Sequence, residues 1–356
     1  MTIEELRKKI SAIDERLVVL LDERISLVRE IGNIKTKNSL PIIDKEREKE
    51  IYDNLSKIKL KNTSNEDIIK IFEKIIEISI AIQKDEIKIS FLGPSGTYTE
   101  QAARNFFLKE NAKFLPEINI SEVFRSVENE EADYGVIAIE NSTAGSVGEN
   151  LDMLVESNLF VCGEIIEKIK HCLITKSELL LKDIKQIYSH PQPFSQCRQF
   201  LEANFQKTEL IPTKSTANAV EIIKNKENAA AIGSELAAKQ NNLIILKKGI
   251  EDIKNNFTRF FVIGKKMPQK TNNDKTSIVF TVKHEPGALL KVLEAFSKRN
   301  INLTKLESRP LKTNTWEYLF FLDFIGNVQD ENSKKALDDI NQKTIMLKIL
   351  GSYAMA

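Results

Sequence analysis

From the N-terminus, apolar residues fall at Ile3, Leu6, Ile10, Ile13, Leu17, Leu20, Leu27, Ile31 and Ile34. These alternating three- and four-residue steps predict one long amphipathic helix. One seam position in the series is charged, Arg24. A second helix is expected after Pro41, and a third after the cap signal Ser64-Asn65. The apolar face of the third (Ile68, Phe72, Ile76) runs on into Ser79 and Gln83, both polar. From residue 86 the pattern changes to strand–loop–helix units. IKISFLG (87–93) leads into PSGTYTEQAARNFF, where Thr97 and Glu100 have capping-box spacing. GVIAI (135–139) leads into ENSTAGSVGEN, and QIY (186–188) into SHPQPFSQCRQFL. Such alternation predicts parallel α/β sheets. A polar linker, MPQKTNNDK (267–275), precedes a third pattern: strand, helix, strand, strand (TWEYLFFLDFIG), helix, strand. This is the β-α-β-β-α-β order of a ferredoxin-like sandwich. The expected architecture is multidomain: an all-α segment (1–85), an α/β segment (86–268) and an α+β segment (276–353).

Composition narrows the chemistry. The chain has 356 residues, too many for one core, and 52 Lys plus Arg nearly cancel 51 Asp plus Glu. No global field therefore favours nucleic acid or an acidic membrane surface. MTIEELRKKI has no signal-peptide core and no long apolar run follows, so no membrane segment and a cytoplasmic location are expected. The three cysteines lack Cys-x-x-Cys spacing and the three histidines are scattered. Neither a disulfide scaffold nor a metal site is expected, and no cofactor.

In NNFTRFFVIG (255–264) strand alternation puts Thr258, Phe260 and Val262 on one face, with Phe257, Arg259, Phe261 and Ile263 on the other. Thr258 alone reads as a β-branched filler.

In the helical segment, Arg24 is either a register device in a helical dimer or a ligand group. Lys35 lies about 16 Å further along the same helix on nearly the same face, so the two can converge on a small ligand. Asp44, Arg47 and Glu48 have the spacing of one helix face. Arg7 is about 42 Å from Lys35 along a straight helix, so it can serve such a site only from another chain. LRKKISAIDERLVVLLDERISLVREIGNIK, DKERE and SIAIQ resemble the all-helical chorismate mutase family. The resemblance implies that the partner chain's Arg7 position and Arg24 hold the carboxylates of chorismate. Lys35 and Gln83 would hold the ether oxygen and Glu48 the hydroxyl, with Asp44, Arg47 and Ser79 supporting.

In the α/β segment, PSGT (94–97), ENSTAG (140–145) and SHPQPFSQ (189–196) sit at strand ends, where α/β sheets bind ligands. Singly, each is an ordinary tight turn. With HCL (171–173), STANAV (215–220), AAIGSELAA (230–238) and NFTRF they resemble, in order and spacing, the prephenate dehydratase family. That implies two lobes like those of periplasmic binding proteins, with prephenate in the cleft. Thr258 would be the essential residue, and Asn141, Ser142, Thr143, Ser189 and Gln196 would orient the substrate. Arg259, on the other strand face, reads as structural, and His190 as shaping its loop.

In the last segment GALL (Gly287, Ala288, Leu289, Leu290) and ESRP (Glu307, Ser308, Arg309, Pro310) resemble, as a pair, the phenylalanine-binding ACT domain. The resemblance implies L-phenylalanine as effector, bound between paired domains, and a homodimer or higher homo-oligomer. The whole chain then reads as a bifunctional chorismate mutase/prephenate dehydratase that makes phenylpyruvate for phenylalanine synthesis. Two rivals remain open: arogenate as the dehydratase substrate, and a non-catalytic amino-acid sensor.

Overall fold

The computed structural model describes residues 2–38, 40–310 and 318–356. Residues 315–317, which open the expected strand TWEYLFFLDFIG, lie outside them. The chain divides into two compact units, one of residues 1–87 with 107–113, the other of 88–106 with 114–356.

The first unit is helical: α1 (Ile3–Lys37), α2 (Lys45–Ser56) and α3 (Asn65–Gln83). Each start is capped by the side chain before it. Thr2 and Glu5 form a capping box on α1, and Ser64 accepts from Asp67 N on α3. Asp44 departs from the sequence expectation. It is the N-cap of α2, accepting from Arg47 N at 3.0 Å, and not a residue of the helix face. A carboxylate there satisfies an otherwise orphaned N–H, which favours capping over a further helical turn. Gly32 lets α1 approach α3, because a Cβ there would lie 3.0 Å from Gln83 Cα. Val28, Leu55 and Ile76 are buried between the helices, yet the N-terminal half of the α1 seam is open. From Ile3 to Leu17 the seam residues are 45–71% exposed, an apolar face that the described residues of α2 and α3 leave open.

The second unit begins with a lobe of β1 (Ile87–Leu92), α4 (Tyr98–Phe106), β2 (Ala112–Glu117), α5 (Ile120–Glu128), β3 (Tyr134–Asn141), β4 (Gly145–Ser146), α6 (Gly148–Glu156) and β5 (Phe160–Lys168). A second lobe follows: β6 (Cys172–Thr175), β7 (Gln186–Ser189), α7 (Pro191–Gln196), α8 (Arg198–Asn204), β8 (Glu209–Pro212), α9 (Thr216–Ile223), β9 (Ala229–Gly233), α10 (Glu235–Gln240) and β10 (Ile244–Lys248). The chain then returns through β11 (Phe257–Gly264). The sheets run β2-β1-β3-β11-β5, with β4 beside β3, and β10-β6-β9-β7-β8. They are mixed, which corrects the expectation of parallel sheets. β11 is antiparallel to β3 and β5, and β6 to β9 and β10. Strands that enter a sheet from the other lobe are free of the crossover helix that enforces parallel pairing. At the lobe junction Gly96 has φ +89°, and a Cβ would lie 2.9 Å from Ala237 Cβ. The expected capping box at Thr97 is half formed. Thr97 accepts from Glu100 N, but Glu100 turns to Gly96 N at 2.6 Å.

The C-terminal sandwich comprises β12 (Asp274–Thr281), α11 (Ala288–Ser297), β13 (Leu303–Pro310), β14 (Tyr318–Ile325), α12 (Glu331–Asn341) and β15 (Met346–Ala354), in the sheet order β13-β14-β12-β15. Period-two alternation gives the sheet two apolar faces. Ile278, Phe280, Leu322 and Phe324 pack with α11 and α12 residues. Val279, Leu319, Phe321 and Tyr353 join one core with Ile137, Ile139, Phe261 and Ile263 of the first lobe. Gly351 admits the backbone of β5, since a Cβ would lie 2.2 Å from Val161 O. Lys348 adds a polar clasp, donating to Leu154 O (2.9 Å), Val155 O (2.8 Å) and Ser157 O at the C-terminal end of α6, where a cation suits the helix dipole.

Candidate active sites

In the helical unit a cavity of about 240 Å³ is lined by Arg24, Lys35, Asp44, Arg47, Glu48, Ser79 and Gln83 over an apolar floor of α1 and α3 residues. Thus every mutase candidate but one meets in one place. Arg24 Nη1 donates to Ser79 Oγ, which itself donates to Ile75 O at 2.6 Å. Lys35 Nζ is steadied by Ile42 O at 2.8 Å. Gln83 Nε2 donates to Ser79 O at 3.1 Å, while its Oε1 is buried without a hydrogen-bond partner among the described residues. Arg47 also pairs with Glu50 at 2.6 Å on the exposed side. The absentee is Arg7, near the exposed start of α1 and outside the cavity lining. The arrangement offers cations and neutral donors around an apolar slot. It suits binding and polarising a compact dianion.

A second cavity, about 280 Å³, is lined from both lobes by Thr97, Tyr98, Asn141, His171, His190, Gln196, Lys214, Thr216, Thr258 and Phe260, among others. β11 keeps its alternation here, so Thr258 and Phe260 line the cavity while Phe261 and Ile263 enter the core behind. One continuous chain of hydrogen bonds crosses the cavity wall. Tyr98 Oη meets His171 Nδ1 at 2.8 Å, and His171 Nε2 meets Gln196 Oε1 at 2.8 Å. Gln196 Nε2 donates to Thr143 Oγ1 (2.9 Å), Thr143 to Asn141 Oδ1 (2.6 Å), and Asn141 Nδ2 to Thr258 Oγ1 (2.8 Å). The directions fix the rest. Gln196 Nε2 donates to Thr143, so its oxygen accepts Nε2–H of His171, and the one Tyr98 hydroxyl proton lies between His171 Nδ1 and Lys170 O, the latter at 3.0 Å. Thr258 Oγ1 accepts from Asn141 and donates to no described residue, so its proton is free for the cavity.

Three candidates are placed elsewhere than expected. Ser189 is fully buried and donates to Ile232 O at 3.0 Å, which makes it a tie between β7 and β9 and not a cavity group. Ser142 ties its loop to the entry of β11, accepting from Phe257 N at 2.9 Å. Thr143 relays between Gln196 and Asn141 and faces a neighbouring cavity. Conversely, sequence reasoning passed over Tyr98, His171, Lys214 and Thr216. The signal for the last two was the cap Ser215 of α9 following a lysine, which puts a cation beside a helix N-terminus. His190 caps α7 through Nδ1, accepting from Gln192 N at 3.3 Å, and also lines the cavity.

Burial holds the His171 imidazole below its usual range, and pushes the Tyr98 phenol well above its own. Because the folded protein takes up this proton less readily than the unfolded chain, stability is lost as pH falls below the ordinary histidine value of about 6.5. His171→Gln is therefore expected to flatten the fall in denaturation midpoint between about pH 7.5 and 5, measured beside the parent.

The C-terminal tetrapeptides are split by the sheet. Gly287 (φ +81°, with open space where a Cβ would be) precedes α11, with Ala288 buried, Leu289 against the helix-side core and Leu290 exposed. Ser308 and Pro310 of β13 are exposed, whereas Glu307 and Arg309 turn to the opposite face and engage the first lobe of their own chain. Strand alternation thus separates Glu307 and Arg309 from Ser308 and Pro310 within this chain. Among the described residues no cluster of three or more His, Cys, Asp or Glu side chains is placed to hold a metal ion, and no helix is long and apolar enough to cross a membrane.

Comparison with known proteins assigns each of the three segments to a family. Residues 6–84 match the profile of chorismate mutase type II, 89–268 that of prephenate dehydratase, and 276–342 that of the ACT domain. The bifunctional chorismate mutase/prephenate dehydratase of Aquifex aeolicus is 43% identical over 358 residues, 99% of this chain and 98% of that one. Among solved structures, the prephenate dehydratase of Arthrobacter aurescens in complex with L-Phe superposes with a TM-score of 0.70 at 30% identity, over 75% of this chain and 90% of that one. A chain described as GqqA, a novel type of quorum quenching acylase, gives a TM-score of 0.69 at 28% identity, over 76% and 98%. With relatives matched end to end and each segment matching its own profile, the chain belongs to the family of bifunctional chorismate mutase/prephenate dehydratases.

Proposed function

We propose that the helical cavity rearranges chorismate to prephenate and that the cleft at Thr258 converts prephenate to phenylpyruvate, with L-phenylalanine acting at the C-terminal sandwich. The observation that carries the reading is the complementary chemistry of the two cavities. The first sets cations and neutral donors, with Glu48 as an acceptor, around an apolar slot, which is what a unimolecular rearrangement of a dianion needs. Arg24 clamps a carboxylate, Lys35 and Gln83 meet the ether oxygen as it gains negative charge, and Glu48 accepts from the hydroxyl. The second holds Thr258, whose hydroxyl is aimed by Asn141 and keeps its own proton for the cavity. Prephenate loses its ring carboxylate as CO₂, the released electron pair aromatises the ring, and the hydroxyl leaves as hydroxide, which takes a proton from solvent to become water. Thr258 donates a hydrogen bond to that departing oxygen; Asn141 aims Thr258, Gln196 holds Asn141 through Thr143, and Lys214 takes the other carboxylate.

A second copy completes the first site in this reading. Arg7 is too far along α1 to serve its own cavity, and the uncovered apolar seam from Ile3 to Leu17 supplies the surface for an α1–α1 pair. Mixing Arg7→Ala chains with Lys35→Ala chains is expected to restore mutase turnover that neither has alone. Heterodimers that form and stay inactive would overturn the shared site. A coupled assay from chorismate, with and without L-phenylalanine, tests the whole reading, and competing prephenate with arogenate identifies the dehydratase substrate.

A further inference from the structure

Asn141 and Thr258 face each other across the β3–β11 ladder, and so do their neighbours Glu140 and Arg259. By alternation the second pair points away from the cavity, toward the C-terminal sheet. There Arg259 is 7% exposed and held by Glu164 of β5 at 2.8 Å, Asp323 of β14 at 2.6 Å, Tyr353 Oη at 3.2 Å and Glu140 at 3.4 Å. These carboxylates hold its guanidinium charged against the cost of burial. Lys305 of β13 pairs with Glu140 and, at 3.1 Å, with Glu307. Glu307 accepts from Ser146 Oγ at 2.6 Å, and Arg309 reaches Asp152 at 3.4 Å. Gly148 makes room for that guanidinium, since a Cβ there would lie 2.1 Å from Arg309 Nη2.

The residues on both sides of this layer matter. A buried ion cluster is a poor way to hold two sheets together, because apolar residues of similar size do it as well or better. Next to it the same two sheets already share an apolar core through Phe261, Phe321 and Tyr353. The charges are therefore not needed for cohesion. What they do that the apolar core does not is join the backbone immediately beside both Asn141 and Thr258 to groups of the other sheet, with directional bonds.

We propose that Arg259, Glu140, Lys305 and Asp323 are positioning residues for dehydration, through which the C-terminal sheet sets the aim of Thr258 and Asn141 and passes its effector state to the cleft. The effector half of the inference rests on the phenylalanine reading above; the positioning half does not.

The test uses the full-length chain with Lys305→Met, Lys305→Arg and Asp323→Asn. Dehydratase kcat and KM, mutase rate on the same preparation, and L-phenylalanine binding by calorimetry are measured for each. Mutase turnover serves as the control, because its candidate residues all lie in the other unit. Lys305→Met is expected to lower dehydratase kcat about 10–100-fold, as a displacement of the order of 1 Å does, with KM changed by less than about twofold. Lys305→Arg is expected to recover most of that loss, and Asp323→Asn to lose kcat in the same pattern. In both impaired variants L-phenylalanine still binds but no longer changes the remaining rate. A kcat within about twofold of the parent in both Lys305→Met and Asp323→Asn overturns the proposal, as does a loss in Lys305→Met that Lys305→Arg fails to recover. If the parent binds no L-phenylalanine, the effector reading falls and the effector half with it, while the kcat and KM pattern with its rescue decides the positioning half.

Discussion

Thr258→Ala is expected to stop phenylpyruvate formation while chorismate is still consumed at the parental rate, so that prephenate accumulates. Removing a preorganised hydrogen-bond donor at a departing, charge-gaining oxygen costs roughly 10²–10³-fold. Several features point to the upper part of that range. Thr258 is 9% exposed, so few waters can replace its hydroxyl, and no other side chain hydroxyl on the cavity lining is aimed by an asparagine in the same way. The fold should tolerate the change. Asn141 Nδ2 keeps Asn256 Oδ1 at 2.7 Å and Phe257 O at 3.2 Å, so the loop anchor survives loss of the Thr258 oxygen. Thr258→Ser, which keeps a hydroxyl on a less constrained rotamer, is expected to fall between parent and alanine. Following chorismate consumption and phenylpyruvate appearance in one cuvette decides it. Equal loss of both activities in a folded Thr258→Ala chain would sink the assignment.

How far the sequence reached depends on the range of the interactions involved. The helices of the first unit were legible because each is specified locally: the seam of α1 by its period, and α3 by Ser64 as cap. Arg24, Ser79 and Gln83 stood out as polar residues on apolar faces, and a polar break in a periodic face is visible without a structure. Asp44 was read onto the α2 face because i, i+3 spacing looks the same whether the first residue opens the helix or caps it. The strand β11 was legible too, including the separation of Thr258 from Arg259 by alternation. What was missed is Tyr98, His171 and the connection among the residues already named, and that connection is non-local. The wall of the cleft passes through Tyr98, His171, Gln196, Thr143, Asn141 and Thr258, six residues from five separate stretches, and no spacing rule connects them. Ser189 was read as a cavity group because a serine at a strand end looks the same whether it faces a ligand or the next strand. The splitting of ESRP is different: period two was sufficient to separate Glu307 and Arg309 from Ser308 and Pro310. What alternation alone does not say is which face a partner sheet covers.

Lys35→Met carries the second large expected effect, on the other activity. The rearrangement needs no proton transfer, so the residue that matters most is the one whose interaction grows as the ether C–O bond breaks and negative charge builds on that oxygen. Lys35 is the cation placed for this. Its Nζ is held by Ile42 O at 2.8 Å, and an ammonium has three donors, so two remain for the cavity. Gln83 is the neutral partner; its Nε2 donates to Ser79 O, and its Oε1 is buried without a hydrogen-bond partner among the described residues. Methionine keeps most of the length and the apolar stem of lysine while removing the charge, so the cavity keeps its shape. The expected result is a loss of about 10²–10³-fold in mutase kcat, the usual cost of one preorganised donor at a developing oxyanion, with a smaller change in KM. Dehydratase turnover of supplied prephenate should be unaffected, because Thr258 and its hydrogen-bond chain belong to the other unit. A rise in KM with kcat unchanged would place Lys35 on a substrate carboxylate instead, and leave Gln83 alone at the ether oxygen.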